Sequence, residues 1–175
     1  MPTASTSQIL GNNECIEPYT SNYYKRRTLA GEFKIINKYL IKNLIELGIW
    51  SPDIKDKIIL KDGSVQGITE IPTEIQELYK TVWEISQKSL IDMATDRGIY
   101  VCQTQSLYFF MSQPKYKSIN SMHFYSWKKG AKTGIYYLRT LSSAKAQKVT
   151  ISMKQINESN TSITDENEEC LNCSA

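Results

Sequence analysis

From Thr73 onward the hydrophobic pattern changes period in a way that few folds accommodate. Ile75, Leu78, Val82, Ile85, Leu90 and Met93 keep helical spacing, with Tyr79 and Trp83 widening the stripe. This predicts one helix from Glu74 to Arg97, opened by a capping box of Thr73 and Gln76 and closed by Gly98. Ile99-Tyr100-Val101-Cys102 then has strand composition. Residues 106–111 (SLYFFM) are apolar throughout and fit either a strand or a buried helix. Residues 116–129 read as a helix ending at Gly130, and residues 134–140 read as a strand. Helix, strand, helix, strand in succession implies parallel strands joined by helical crossovers, so the fold class is α/β. Two or three strands neither close a barrel nor complete a doubly wound sheet, so the segment looks like part of a larger α/β domain.

The first seventy residues are less regular. Pro2, Thr3, Ala4, Ser5 and Thr6 precede Gln8-Ile9-Leu10, a short helix broken by Gly11. Its mouth is either a plain hydroxyl cap or an anion cradle made by free amides and the helix dipole. Residues 14–32 read as irregular and polar, with Lys25-Arg26-Arg27 either a solvated basic patch or a surface facing a phosphate or carboxylate. Leu40, Leu44 and Leu47 predict a helix closed by Gly48. Ser51-Pro52 supplies an N-cap and an N1 proline for a second helix, Asp53 to Leu60. Residues 61–64 (KDGS) form a turn.

Charge separates body from tail. In residues 152–175 five acids (Glu158, Asp165, Glu166, Glu168 and Glu169) stand against Lys154, a net of −4, which leaves +7 on residues 1–151. Aromatics vanish after Ile151, so the expectation is a folded part over 1–151, with residues 147–151 as a possible edge strand, and a disordered acidic tail over 152–175. A mildly basic body suits an anionic small molecule or an acidic partner, and is too weak to argue for nucleic acid. No run of about eighteen apolar residues exists, and residues 1–7 carry no secretory pattern, so neither a membrane span nor a signal peptide is expected and the compartment is read as cytoplasmic. Four cysteines in such a context are expected to be reduced. The Cys170-x-x-Cys173 pair is a weak zinc signal and a better redox one, so no metal is expected. Tyr136-Tyr137 is either a β-favouring pair packed on a sheet or a redox pair.

Five blocks now carry a resemblance. They are residues 1–14 (MPTASTSQILGNNE), 17–22 (EPYTSN), 78–87 (LYKTVWEISQ), 121–125 (SMHFY) running into 132–139 (KTGIYYLR), and 170–173 (CLNC). In this order they resemble the C-terminal portion of the class I ribonucleotide reductase large subunit, of the eukaryotic and DNA-virus type. The resemblance implies the C-terminal part of that family's ten-stranded α/β barrel followed by the flexible tail. It implies that Pro2, Thr3, Ala4, Ser5 and Thr6 cradle the diphosphate of a ribonucleoside diphosphate substrate. Tyr136 and Tyr137 are implied to be stacked tyrosines relaying an oxidising equivalent from the small subunit. Cys170 and Cys173 are implied to be the dithiol that accepts electrons from thioredoxin or glutaredoxin. Acidic neighbours are expected to raise, not lower, the pKa of those thiols.

The resemblance also bounds what is expected. The thiyl-forming cysteine, the active-site disulfide and the allosteric nucleotide sites belong to parts of the family lying before these blocks, and Cys15 and Cys102 match none of them. The expected partners are therefore the small subunit, the remainder of a large subunit or another copy of it, and the thiol reductant. No cofactor is expected on this chain, since the small subunit's di-iron/tyrosyl site supplies the radical. Alone, the chain is expected to be inactive and poorly stable; a non-catalytic fragment or a module that binds the small subunit is the alternative. One departure is noted: Tyr108 stands where the family commonly has asparagine. Adjacent residues of a regular strand point to opposite faces, so Tyr136 and Tyr137 are expected to meet only where the strand bends or ends.

Overall fold

Residues 4–13 and 15–141 are described by a computed structural model. The possible strand at 147–151 and the tail at 152–175 lie outside the described residues. Helix α1 (Ala4–Ile9) is the short helix expected, and Gly11 ends it in a left-handed conformation, φ 71°. Strands β1 (Tyr23–Thr28) and β2 (Gly31–Ile36) follow as an antiparallel hairpin. This corrects the irregular reading of 14–32. Within that stretch Lys25 and Arg27 both reach Glu32 across the hairpin, 3.2 and 3.4 Å, so these two members of the basic run form an exposed cross-strand ion-pair face.

Helices α2 (Lys38–Glu46) and α3 (Pro52–Leu60) stand as expected. The Asn37 side chain caps α2 by accepting from the amides of Tyr39 and Leu40, and Ser51 Oγ caps α3 by accepting from Ile54 N–H at 3.2 Å. Leu40 and Leu44 pack on Ile54, Ile58, Val65, Ile68 and Ile71 to form the first core cluster. The turn after α3 has two successive left-handed residues, Asp62 (φ 55°) and Gly63 (φ 87°). It docks on the incoming chain: Asn22 donates to Gly63 O from its backbone at 3.2 Å and from Nδ2 at 3.1 Å. Asn22 Nδ2 also reaches Tyr79 O at 2.9 Å, and Asn22 Oδ1 accepts from Asn37 Nδ2 at 3.0 Å. One buried amide thus ties the hairpin, two helices and the 79–86 segment.

The single helix expected over 74–97 is two: α4 (Thr73–Leu78) and α5 (Gln87–Gly98). The intervening backbone is claimed by tertiary partners. Tyr79 O accepts from Asn22, Val82 N–H donates to Tyr19 O at 2.9 Å, and the Glu84 carboxylate accepts from Thr81 N–H and from the Ser64 hydroxyl. Leu78, placed on the apolar stripe by the periodicity, is exposed, while Val82 is fully buried. The capping box is also absent. Pro72 precedes α4 without a side-chain cap, and Gln76 instead clamps the preceding loop through Gly67 N–H and the carbonyls of Ile68 and Ile71.

Residues 99–102 are not a strand. Tyr100 N–H and Val101 N–H bond back to Arg97 O and Gly98 O, unwinding α5 in turns that leave Ile99 and Tyr100 exposed. The ambiguous 106–111 run resolves as strand β3 (Tyr108–Phe110), buried throughout. Helix α6 (Tyr116–Lys128) then crosses over to strand β4 (Tyr137–Arg139), and β3 and β4 pair in parallel, as the alternation predicted. On one face of this pair Phe109 packs with Ile91, Ala94 and Met122 of α5 and α6, with Leu138 against them. On the other, Tyr108 and Phe110 cluster with Val82 and Leu90.

Candidate functional site

The face of the β3–β4 pair turned away from α6 gathers a cluster of tyrosines with an arginine. The register sets Tyr108 beside Tyr137, Phe109 beside Leu138 and Phe110 beside Arg139. Side chains alternate along a strand, so Tyr108, Phe110, Tyr137 and Arg139 share one face. Tyr136 lies one residue before β4, in a bend, and its N–H bonds to Leu107 O at 2.8 Å. The chain bends where the adjacent tyrosines required it to. Their ring centroids are 4.6 Å apart with planes at 67°, an edge-to-face contact where the resemblance implied a stack.

The parallel stack is made by Tyr108. Its ring lies 5.7 Å from Tyr137 with planes at 10°, and 5.7 Å from Tyr136 at 58°. The Arg139 guanidinium stands 5.3 Å from the Tyr108 ring centre and 5.7 Å from that of Tyr137, so one cation serves two ring faces. Tyr108 is 4% exposed, whereas Tyr136 and Tyr137 are 48% and 53% exposed. The cluster thus runs from surface to core, and Phe110 continues it to Trp83 in an edge contact at 5.3 Å. Glu17 fixes the inner end, its Oε1 accepting from Tyr108 N–H at 3.0 Å; Oε2 is buried with no hydrogen-bond partner among the described residues. Tyr108 and Arg139 are the members that sequence reading missed. Strand period puts Arg139 on the Tyr137 face, but only the register brings Tyr108 there.

Behind the sheet, Asp92 of α5 and α6 are joined by a small network. Tyr125 Oη donates to Asp92 Oδ1 at 2.7 Å, and Lys129 Nζ lies 3.0 Å from the same oxygen. The Tyr125 bond, with Lys129, holds the Asp92 carboxyl below the usual range, and the same contact raises the Tyr125 phenol and the Lys129 ammonium.

The remaining expected site residues are placed as follows. Ala4, Ser5 and Thr6 open α1, with Thr6 exposed. A cleft lies at the other end of that helix, lined by Gln8, Asn12, Tyr19, Tyr24 and Lys38. Pro2, Thr3, Cys170 and Cys173 lie outside the described residues. Cys15 packs beside the Val82–Tyr108 cluster, Cys102 is exposed, and no group of three metal-ligating side chains forms among the described residues. No helix among them is long and apolar enough to cross a membrane.

The family profile described as the ribonucleotide reductase barrel domain matches residues 1–137. The chain belongs to the ribonucleotide reductase barrel-domain family. It is 62% identical over 151 residues to the ribonucleoside-diphosphate reductase large subunit of Dictyostelium discoideum, covering 86% of this chain and 17% of that one. It is 55% identical over 167 residues to the large chain of Schizosaccharomyces pombe, covering 95% and 21%. Among solved structures it resembles the Actinobacillus ureae class Id ribonucleotide reductase alpha subunit, with a TM-score of 0.70, 35% identity, and coverage of 81% of this chain and 25% of that one. The chain thus spans about a fifth of the length of the curated relatives it matches. The β3–β4 pair and its crossover helix are part of a reductase barrel, as the alternation and the motif blocks implied.

Proposed function

We propose that this chain supplies the tyrosine relay of a ribonucleoside-diphosphate reductase, which converts ribonucleoside diphosphates to 2′-deoxyribonucleoside diphosphates by radical removal of the ribose 2′-hydroxyl. The observation that carries the reading is the edge contact of Tyr136 and Tyr137, 4.6 Å apart where β4 begins. A phenol that loses an electron and a proton together becomes a neutral radical, which crosses between touching rings without charging the protein interior. The oxidising equivalent enters from the small subunit's di-iron/tyrosyl site, so this chain's residues hold no metal or cofactor in this reading. Tyr136 and Tyr137, both about half exposed, face that partner on one side and the rest of the large chain on the other.

The other roles complete the cycle. Pro2, Thr3, Ala4, Ser5 and Thr6 hold the substrate diphosphate. Cys170 and Cys173 deliver electrons from thioredoxin or glutaredoxin, a task suited to a CxxC dithiol in a polar stretch of sequence. Exposed Phe124 and Trp127 on α6 are surfaces for the remainder of the large chain. The compartment is the cytoplasm, where that reductant pool keeps dithiols reduced.

The test places Tyr136→Phe and Tyr137→Phe separately in an intact large chain that carries this segment. Each ring keeps its packing and loses its oxidisable O–H. The expected result is loss of CDP reduction by at least a hundredfold, with small-subunit and nucleotide binding retained. Wild-type turnover in either variant overturns the reading.

A further inference from the structure

We propose that Tyr108 is a third redox-active tyrosine, sharing the oxidising equivalent with Tyr137 across their parallel stack. The inference rests on the relay reading of Tyr136 and Tyr137 and adds a member to it. Three observations carry it. First, the three phenol rings are in mutual contact, at 4.6, 5.7 and 5.7 Å, and the most parallel pair is Tyr108–Tyr137 and not the sequence-adjacent pair. Second, this is set by the backbone: Tyr108 and Tyr137 are register partners, and Tyr136 N–H and Met111 N–H bond across the pair to Leu107 O and Arg139 O. Third, Arg139 stands over both rings. A nearby cation disfavours a ring that gives up its electron but keeps its proton, and so favours exchange in which both move.

The exchange is balanced. Tyr137 as the neutral radical takes one electron and one proton from the Tyr108 hydroxyl. An O–H bond breaks on Tyr108 and one forms on Tyr137, no net charge is created, and the two phenols are chemically alike. The oxidant is the tyrosyl radical of the small subunit, acting through the relay. Burial distinguishes the new member. At 4% exposure Tyr108 is screened from solvent reductants, whereas its two neighbours are half open. A neutral radical carries no Born penalty in such a place, so the buried ring is a sheltered station for the hole.

The test uses an intact large chain carrying this segment, assembled with its small subunit and given substrate and effector nucleotides. 3-Aminotyrosine, which oxidises more easily than tyrosine, is placed at position 108, and freeze-quenched samples are read by electron paramagnetic resonance. The expected result is an aminotyrosyl signal that appears as the small-subunit radical decays and is lost when Tyr137→Phe is added. The same analogue at position 137 separates the two readings. A signal at 137 with none at 108 overturns this inference and leaves the relay standing; no signal at either position overturns both. Should the amino group disturb the buried site, 3-fluorotyrosine at 108 replaces it. A fluorine-split radical that grows in as the small-subunit signal decays supports the inference, and decay of that signal with no fluorine-split radical overturns it. A ring at 108 that only packs gives neither signature.

Discussion

Gly63 is the position where a single methyl group should do the most damage. It is buried, its φ is +87°, and it follows a residue that is itself left-handed. A Cβ built there falls onto Ser21 Oγ and comes within 2.8 Å of Tyr23 N and 2.9 Å of Asn22 N. The left-handed backbone costs an alanine about 1–2 kcal/mol. Relieving the clash moves the 21–23 backbone away and removes the two bonds that Asn22 donates to Gly63 O. An orphaned buried donor costs about 1–3 kcal/mol. Together these put Gly63→Ala at about 2–5 kcal/mol of local stability. At about 1.4 kcal/mol per factor of ten, amide hydrogen exchange at Asn22 and Tyr23 should accelerate by about thirty- to a few thousand-fold in an intact large chain. The companion variant is Ser21→Ala with Gly63→Ala. It removes the hydroxyl but not the two backbone nitrogens, so protection should stay low. Exchange within about threefold of wild type for Gly63→Ala, or restored protection in the double variant, would refute the argument.

Two further outcomes are expected. Because the Asp92 carboxyl is held low by Tyr125 and Lys129, its contribution to the α5–α6 contact is complete above the unfolded carboxylate pKa and is lost as pH falls through the lower folded value. Carbon-13 titration of Asp92 should show this, with Tyr125→Phe moving the midpoint up; an unmoved midpoint would assign the depression to Lys129 and Lys88. Gln76→Ala releases Gly67 N–H and leaves Ile68 O and Ile71 O without their clamp, so the 66–72 loop should lose about 1–3 kcal/mol of protection against exchange while α5 is unchanged.

What the sequence disclosed follows from how local each signal is. Ser51-Pro52, Gly48, Gly11 and Gly130 mark helix boundaries through backbone chemistry within a few residues, and each holds. The parallel strands follow from alternating period. The break between α4 and α5 does not, because Val82 and Tyr79 are held by Tyr19 and Asn22, some sixty residues earlier. The 23–36 hairpin is hidden for a related reason. Its outer half is exposed and charged, so neither strand shows a clean alternation. At the site, the tyrosine pair was legible as a motif and its bend as a geometric necessity. Tyr108 was noted only as a departure, because its partnership with Tyr137 depends on a pairing register no local pattern records.

That register gives the aromatic cluster a mechanical character. Tyr137 and Arg139 face Tyr108 only because the three-residue strands β3 and β4 are in their observed alignment. A slip of one residue would bring Leu138 beside Tyr108 and turn both Tyr137 and Arg139 to the helical side. Contact between the inner and outer rings is therefore all-or-none, like a key tooth in its ward. The short ladder is the latch: its flanking bonds at Leu107 and Arg139 keep the aromatic face assembled, and force or local melting that frees β4 separates the rings without touching a tyrosine.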